Sequence, residues 1–187
     1  MSVALLHTPE ELLHLDGLYE LVDGQLVEKQ VGYLAGKCIA RISHVLQIYL
    51  DSHPVGEIAA EVTFQCFPSN PDQVRRPDLA FISKGRADAA PDEGHVKIAP
   101  DIAIEVISPG DKMNDFEEKM VDYRSAGVKQ VWEVNPTFRF VRIHRPDFTT
   151  VFLQSDEVLS AEVLLPGFAV RVADLMPKEE QNTSPTA

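Results

Sequence analysis

Hydrophobic and polar positions change period several times along this chain, and each change marks an element. Residues 76–82, Arg76-Pro-Asp-Leu-Ala-Phe-Ile82, and residues 101–107, Asp101-Ile-Ala-Ile-Glu-Val-Ile107, are short apolar runs of strand length, the pattern of buried strands. Each run carries one internal acid, Asp78 and Glu105. Alternation puts Asp78 on a face with Ala80 and Ile82, and Glu105 on a face with Ala103 and Ile107. A lone carboxylate in such a segment is costly unless a cation meets it. If the strands are neighbours, both acids converge on one point, and a divalent metal is the obvious partner.

The rest of the pattern frames these strands. Thr8-Pro-Glu-Glu11 has the form of a capping box with proline at the first helical position, predicting a short helix over 9–15. Residues 19–28 read as strand, Asp23-Gly24 turn and return strand. Strand pairing about that turn groups Glu20 with Val22 and Val27, and Glu28 with Tyr19, Leu21 and Leu26, so either acid could reach a cleft. Leu34, Cys38, Ile42, Val45, Leu46 and Tyr49 recur at helical spacing and predict an amphipathic helix over 33–51, with Lys37, Arg41 and His44 on its solvated side. Alternation at Ile58, Ala60, Val62, Phe64 and Cys66 predicts a half-buried strand. Residues 84–99, rich in Gly, Pro and charge, read as a surface connection placed to border a site. Phe116, Met120 and Tyr123 mark one face of a second long helix that Gly127 ends, and residues 128–134 return as a strand in which Trp132 is core. From 138 to 172, short β-runs and turns suggest an antiparallel appendage.

Composition narrows the picture. The 187 residues are one domain's worth, with 44% hydrophobic and 25% charged content, ordinary for a globular protein; residues 1–176 read as a single domain and 177–187 as a polar, disordered tail. No signal-peptide pattern or membrane-length run is visible, so a cytoplasmic location is the default expectation and no membrane partner is expected. Cys38 and Cys66 have apolar neighbours and read as small core residues. The net charge of −12 argues against a broad electrostatic footprint for nucleic acid, although it does not fix the field within one cleft. The six histidines show no ligand spacing, and Ser108 before Pro109 fits a strand-end turn better than a nucleophile.

Pro-Asp pairs occur five times and mostly mark turns; only Asp78 leads into a convincing strand followed, after a long loop, by a second strand with an internal acid. That order of strand Asp, strand Glu and then helix resembles the PD-(D/E)XK nuclease superfamily. More closely, Tyr19-Glu-Leu-Val-Asp-Gly24, Arg76-Pro-Asp-Leu79, Pro100-Asp-Ile-Ala-Ile-Glu-Val-Ile-Ser-Pro109, Lys119 with Tyr123 and Gly127, and Val131-Trp-Glu-Val-Asn-Pro136 resemble the Uma2 family of restriction-type endonucleases over roughly residues 8–176.

The resemblance implies an α+β fold with an α/β-like core: a restriction-endonuclease-like mixed central sheet flanked by helices, the hairpin at its N-terminal side and the antiparallel appendage at its C-terminal side. It implies a metal-dependent endonuclease acting on DNA, with Asp78 and Glu105 as ligands of Mg²⁺ or Mn²⁺, the Val106 carbonyl as a further oxygen, and a homodimer as a candidate assembly. The lysine that the superfamily places two residues after the glutamate is Ile107 here. The Uma2-like solution moves it to the following helix, where Lys119 falls beside Phe116 and Tyr123. Glu20, in the stretch most like the family, is the fourth candidate. The departure at Ile107 keeps a second reading open, a nuclease-like domain of weak or no activity that binds nucleic acid or a protein. A metal-free hydrolase of sugars or nucleotides is disfavoured, because buried carboxylates without a cation drift toward protonation.

Overall fold

The computed structural model describes residues 7–178, so the tail beyond 178 and the first six residues lie outside it. Its centre is a six-stranded mixed sheet ordered β3-β4-β5-β6-β7-β8, comprising β3 (Gly56–Ala60), β4 (Leu79–Ser83), β5 (Ile102–Val106), β6 (Gln130–Asn135), β7 (Phe140–His144) and β8 (Thr150–Leu153). Only β5 and β6 run parallel; the other pairs are antiparallel. A parallel pair needs a crossover, and the helix α4 (Met113–Ser125) provides it. The hairpin β1 (Tyr19–Val22) and β2 (Gln25–Glu28) and the pair β9 (Val158–Ser160) and β10 (Ala169–Arg171) form separate two-stranded sheets.

The strand pleat sorts side chains into two cores. Leu79 and Phe81 of β4, Ile102, Ile104 and Val106 of β5, and Trp132 and Val134 of β6 face one side, against Cys38, Ile42 and Leu46 of α2 (Tyr33–Ser52) and Leu159, Leu165, Phe168 and Leu175 from the C-terminal segment. Ala103 and Val131 face the other side, against Phe116, Met120 and Tyr123 of α4. Ala80 and Ile82 share a neighbouring cluster with Phe64 and Val96. β5 is buried along its whole length, which is why its sequence is almost uniformly apolar.

Local signals account for most element ends. The Thr8 capping box forms at α1 (Pro9–Leu12), with Glu11 Oε2 accepting from the Thr8 amide at 2.9 Å. Asp23 and Gly24 both adopt positive φ, 49° and 76°, as a type I′ turn requires, and the register pairs Glu20 with Val27 and Tyr19 with Glu28. Gly127 turns the chain out of α4 at φ 81°.

Several expectations are corrected. The helix at the N-terminal side ends at Leu12, short of residue 15, and Leu34 of α2 is exposed. The alternating run 58–66 does not stay a strand: β3 stops at Ala60, where Glu61 takes φ 55°, and Phe64 continues only as single bridges to Arg75 and Val96. Asp78 lies one residue before β4 rather than inside it. Residues 84–99 are not a plain surface connection: they include α3 (Lys84–Ala87), and His95 and Val96 are buried. The expected C-terminal antiparallel appendage is present: β7 and β8 join the central sheet, and β9 and β10 form the separate pair that α5 (Val172–Leu175) follows. Cys38 is fully buried and Cys66 half-buried; both are free, with thiol pKa values pushed up to about 12 by burial. Among the described residues no helix is long and apolar enough to cross a membrane.

Gly56 shows how tightly β3 meets β4, because a Cβ there would press into the Ile82 carbonyl and the Phe81 ring, whereas one at Gly85 would meet nothing within 4 Å. Gly56→Ala is expected to cost about 1–3 kcal/mol in urea denaturation, and Gly85→Ala to stay within about 0.5 kcal/mol of the parent.

Candidate active site

β4 and β5 pair antiparallel with Leu79 opposite Ile104, and this brings Asp78, just before β4, beside Glu105 in β5. The Val106 amide donates to Asp78 Oδ2 at 2.5 Å, so the carboxylate is fixed to the edge of the strand pairing even though its residue is outside it. The two acids therefore share the α4 side of the sheet, as alternation predicts. Glu20, Asp78 and Glu105 are 2%, 3% and 5% exposed, a burial that three carboxylates tolerate only with charged or hydrogen-bonding partners.

α4 and the hairpin supply those partners. Lys119 reaches Glu20 Oε1 at 3.0 Å and Glu105 Oε2 at 3.2 Å. One turn further along α4, the Tyr123 hydroxyl donates to Glu105 Oε1 at 2.6 Å. Glu20 also accepts from Arg75 Nη1 at 3.1 Å and from the Arg76 amide at 3.0 Å. Arg75 is turned by Asp122 Oδ2, 2.6 Å from its Nε, which also accepts from Gln73 Nε2 at 2.7 Å. The segment before Asp78 can do this because it is threaded beside the hairpin: Leu21 and Val74 exchange backbone hydrogen bonds of 2.9 Å. Of the two hairpin acids Glu20 is drawn into the cluster; Glu28 stays exposed on the wall of the cleft.

Sequence reasoning missed three participants. Lys29 places its ammonium 2.6 Å from Asp78 Oδ1, 3.2 Å from Glu61 Oε2 and 2.9 Å from the Arg76 carbonyl. Its signal was the hairpin alternation carried one step further, since Lys29 follows Val27 on the face of Glu20. Tyr123 was visible as a core position, and a buried phenol needs a polar partner. Arg75 has no comparable signal, because its role depends on a thread of irregular backbone.

The electrostatics divide the acids. Burial works against charge on Glu20, but Lys119, Arg75 and the Arg76 amide together hold its pKa below the usual 4.5. Burial prevails at Glu105 despite Lys119 and Lys29, with Asp78 and Glu20 adding to it, so its pKa lies above 4.5. Asp78 is likewise raised above 3.8 by burial, against Lys29 and the Val106 amide. Burial opposes the charge of Lys119, yet Glu105 and Glu20 override it and hold the ammonium protonated. Tyr123 is pushed well above 10.0 by burial and by Glu105, so it acts only as a donor.

Glu20, Lys29, Arg75, Asp78, Glu105 and Lys119 line a cleft of about 670 Å³ that also receives Gly32 at the start of α2 and Lys112 at the start of α4. Neither helix start carries a side-chain cap, so the first-turn amides lack a side-chain acceptor. None of residues 84–99 lines it. Among the described residues no three His, Cys, Asp or Glu side chains gather as a metal-holding group. Two carboxylates with raised pKa values fit a hard divalent ion that keeps most of its waters, as Mg²⁺ does, better than an ion needing a full protein cage.

A family model described as "Uma2: Putative restriction endonuclease" matches residues 9–173. A solved structure from Anabaena variabilis, described as a putative nuclease belonging to DUF820, superposes with a TM-score of 0.74 at 19% identity, covering 90% of this chain and 96% of that one; at that identity the likeness is one of fold. No curated protein sequence matches the chain.

The two neighbours of Lys119 should respond to mutation with opposite sign. Glu20, whose folded pKa is depressed, adds stability that is present above 4.5 and lost as pH falls through its lower folded value. Glu20→Gln in EDTA at pH 7 is therefore expected to cost about 3 kcal/mol or more, because Arg75 and Lys119 lose a buried partner. Glu105, whose folded pKa is raised, favours the fold below 4.5 and loses that contribution as pH rises through the folded value. Glu105→Gln should be at least as stable as the parent at pH 7, and its melting temperature should fall less between pH 5 and pH 8. A loss of stability equal to that of Glu20→Gln would show that the two acids are not electrostatically distinct.

Proposed function

The chain belongs to the Uma2 family, and from that membership and the buried cluster of Asp78, Glu105 and Lys119 we propose that it is a metal-dependent endonuclease that hydrolyses DNA phosphodiester bonds. The observation that carries this reading is the lysine: Lys119, on a different element from Glu105, returns an ammonium to within 3.2 Å of its carboxylate, where Ile107 could not. In this reading Asp78 and Glu105 hold Mg²⁺ or Mn²⁺. When bound, such an ion polarises a phosphate and makes a water more acidic.

The chain's own groups have distinct tasks. Lys119 is a hydrogen-bond donor and fixed positive charge for the oxygens of the reacting phosphate, where charge develops in the transition state. Tyr123 holds the Glu105 carboxylate in one orientation, and Arg75 does the same for Glu20. The uncapped starts of α2 and α4 offer main-chain amides to neighbouring phosphates of the strand. Such local donors supply part of what a chain of net charge −12 lacks over its surface, and DNA binding would depend further on a metal held by Asp78 and Glu105.

Incubation of the purified protein with supercoiled plasmid and with single-stranded DNA under Mg²⁺, Mn²⁺ or EDTA tests the proposal. Cleavage is expected with metal and not in EDTA, and Asp78→Asn and Glu105→Gln should abolish it. Lys119→Met should reduce cleavage by roughly a hundredfold or more while Mn²⁺ binding persists, assayed well below its own lowered melting temperature. Undiminished cleavage by Lys119→Met would remove the lysine from the mechanism, and absence of cleavage under every metal would favour a domain that binds without cutting. In gel shifts, DNA binding should be weak in EDTA and stronger with Ca²⁺.

A further inference from the structure

Lys29 is the buried cation that the proposed chemistry does not use. Its side chain is 12% exposed, and its nitrogen makes the shortest ion pair to Asp78, at 2.6 Å. The other Asp78 oxygen is taken by the Val106 amide, which leaves the oxygen facing Lys29 as the one through which Asp78 would bind a metal. Lys29, Asp78 and Glu105 line the same cleft, and the ammonium sits directly on the Asp78 oxygen. A divalent ion held through that oxygen would need the place the ammonium takes.

Two further features make the lysine able to yield it. Glu61 Oε2 at 3.2 Å and the Arg76 carbonyl at 2.9 Å remain as partners when Asp78 is released, so displacement does not strand a buried charge. Glu61 is set there by a non-glycine backbone at φ 55°, and its carbonyl is gripped by Arg76 Nη1 at 2.7 Å. A left-handed residue of this kind carries strain that the surroundings must hold in place.

We propose that Lys29 is an internal counter-ion on the Asp78 oxygen through which a metal would bind, so that a divalent cation held by Asp78 and Glu105 loads by displacing its ammonium toward Glu61. The inference rests on the metal reading above and concerns the strength and route of loading, not the reaction. Lys29 thereby weakens metal binding in exchange for keeping Asp78 paired in the metal-free protein.

Calorimetric titration with Mn²⁺ at constant pH separates the two ideas. Lys29→Met should bind Mn²⁺ at least tenfold more tightly than the parent, with a lower melting temperature in EDTA and a larger rise on adding Mn²⁺. Lys29→Arg, which retains a cation, should show no such gain. A Lys29→Met affinity equal to or weaker than the parent, with Asp78→Asn still abolishing binding, overturns the counter-ion proposal and leaves the metal reading standing; absence of Mn²⁺ binding by parent and variant overturns both. The parent itself gives a reading that needs no variant. Acetylation of the Lys29 amine, followed by mass spectrometry, should be slow in EDTA and accelerate severalfold with Mn²⁺, and no acceleration in a protein shown to bind Mn²⁺ overturns the displacement.

Discussion

Three carboxylates share a volume from which water is largely excluded, and the arrangement around them follows from that cost. An uncompensated charge in such surroundings is worth several kcal/mol against the fold, so each neighbouring element contributes a donor. The hairpin brings Lys29, the thread before β4 brings Arg75 and the Arg76 amide, β5 brings the Val106 amide, and α4 brings Lys119 and Tyr123. The compensation is uneven. Glu20 is over-supplied and stays ionised, while Asp78 and Glu105 are under-supplied and lean toward protonation. Such an imbalance between adjacent acids marks functional sites more often than structural ones.

The sheet makes the imbalance specific. Because the pleat alternates strictly, one residue of β5 can hold up the apolar core with α2 while the next faces α4 as a carboxylate. A one-residue slip of β5 against β6 would put Glu105 into the apolar side and Ile104 toward the lysine. The parallel crossover between β5 and β6 then fixes α4 over the acid, so that Lys119 and Tyr123, one helical turn apart, both point at it.

Period and punctuation made much of this legible. The strands around Glu105 and Trp132, the hairpin with its Asp-Gly turn, and the faces of α2 and α4 all follow from hydrophobic spacing, whereas Lys119 was singled out by the resemblance to the Uma2 family, which moves the lysine missing at Ile107 to the following helix. Alternation failed at residues 58–66, where tertiary contacts and the Glu61 corner override a regular pattern, and at Asp78, which a run of apolar neighbours makes look like a strand residue. Arg75 and Lys29 were hidden for a different reason. Their partners lie some fifty residues away in the sequence, at Glu20, Asp122 and Asp78, and no local spacing records a contact between a hairpin and an irregular thread.

The hairpin is a small sheet of its own, joined to the body through the Leu21–Val74 backbone exchange, a small cluster of Leu12, Leu21 and Val74, the ion pairs of Glu20 and Lys29, and hydrogen bonds of Gln73, Asn70 and Arg76 with its turn and first strand. As a two-stranded sheet outside the central one, it is expected in hydrogen exchange to open at less than the free energy of global unfolding. Its opening takes Glu20 and Lys29 out of the buried cluster together and uncovers Asp78. The amides of β1 and β2 and the readiness of Asp78 for a new ligand are thus two reports on a single fluctuation.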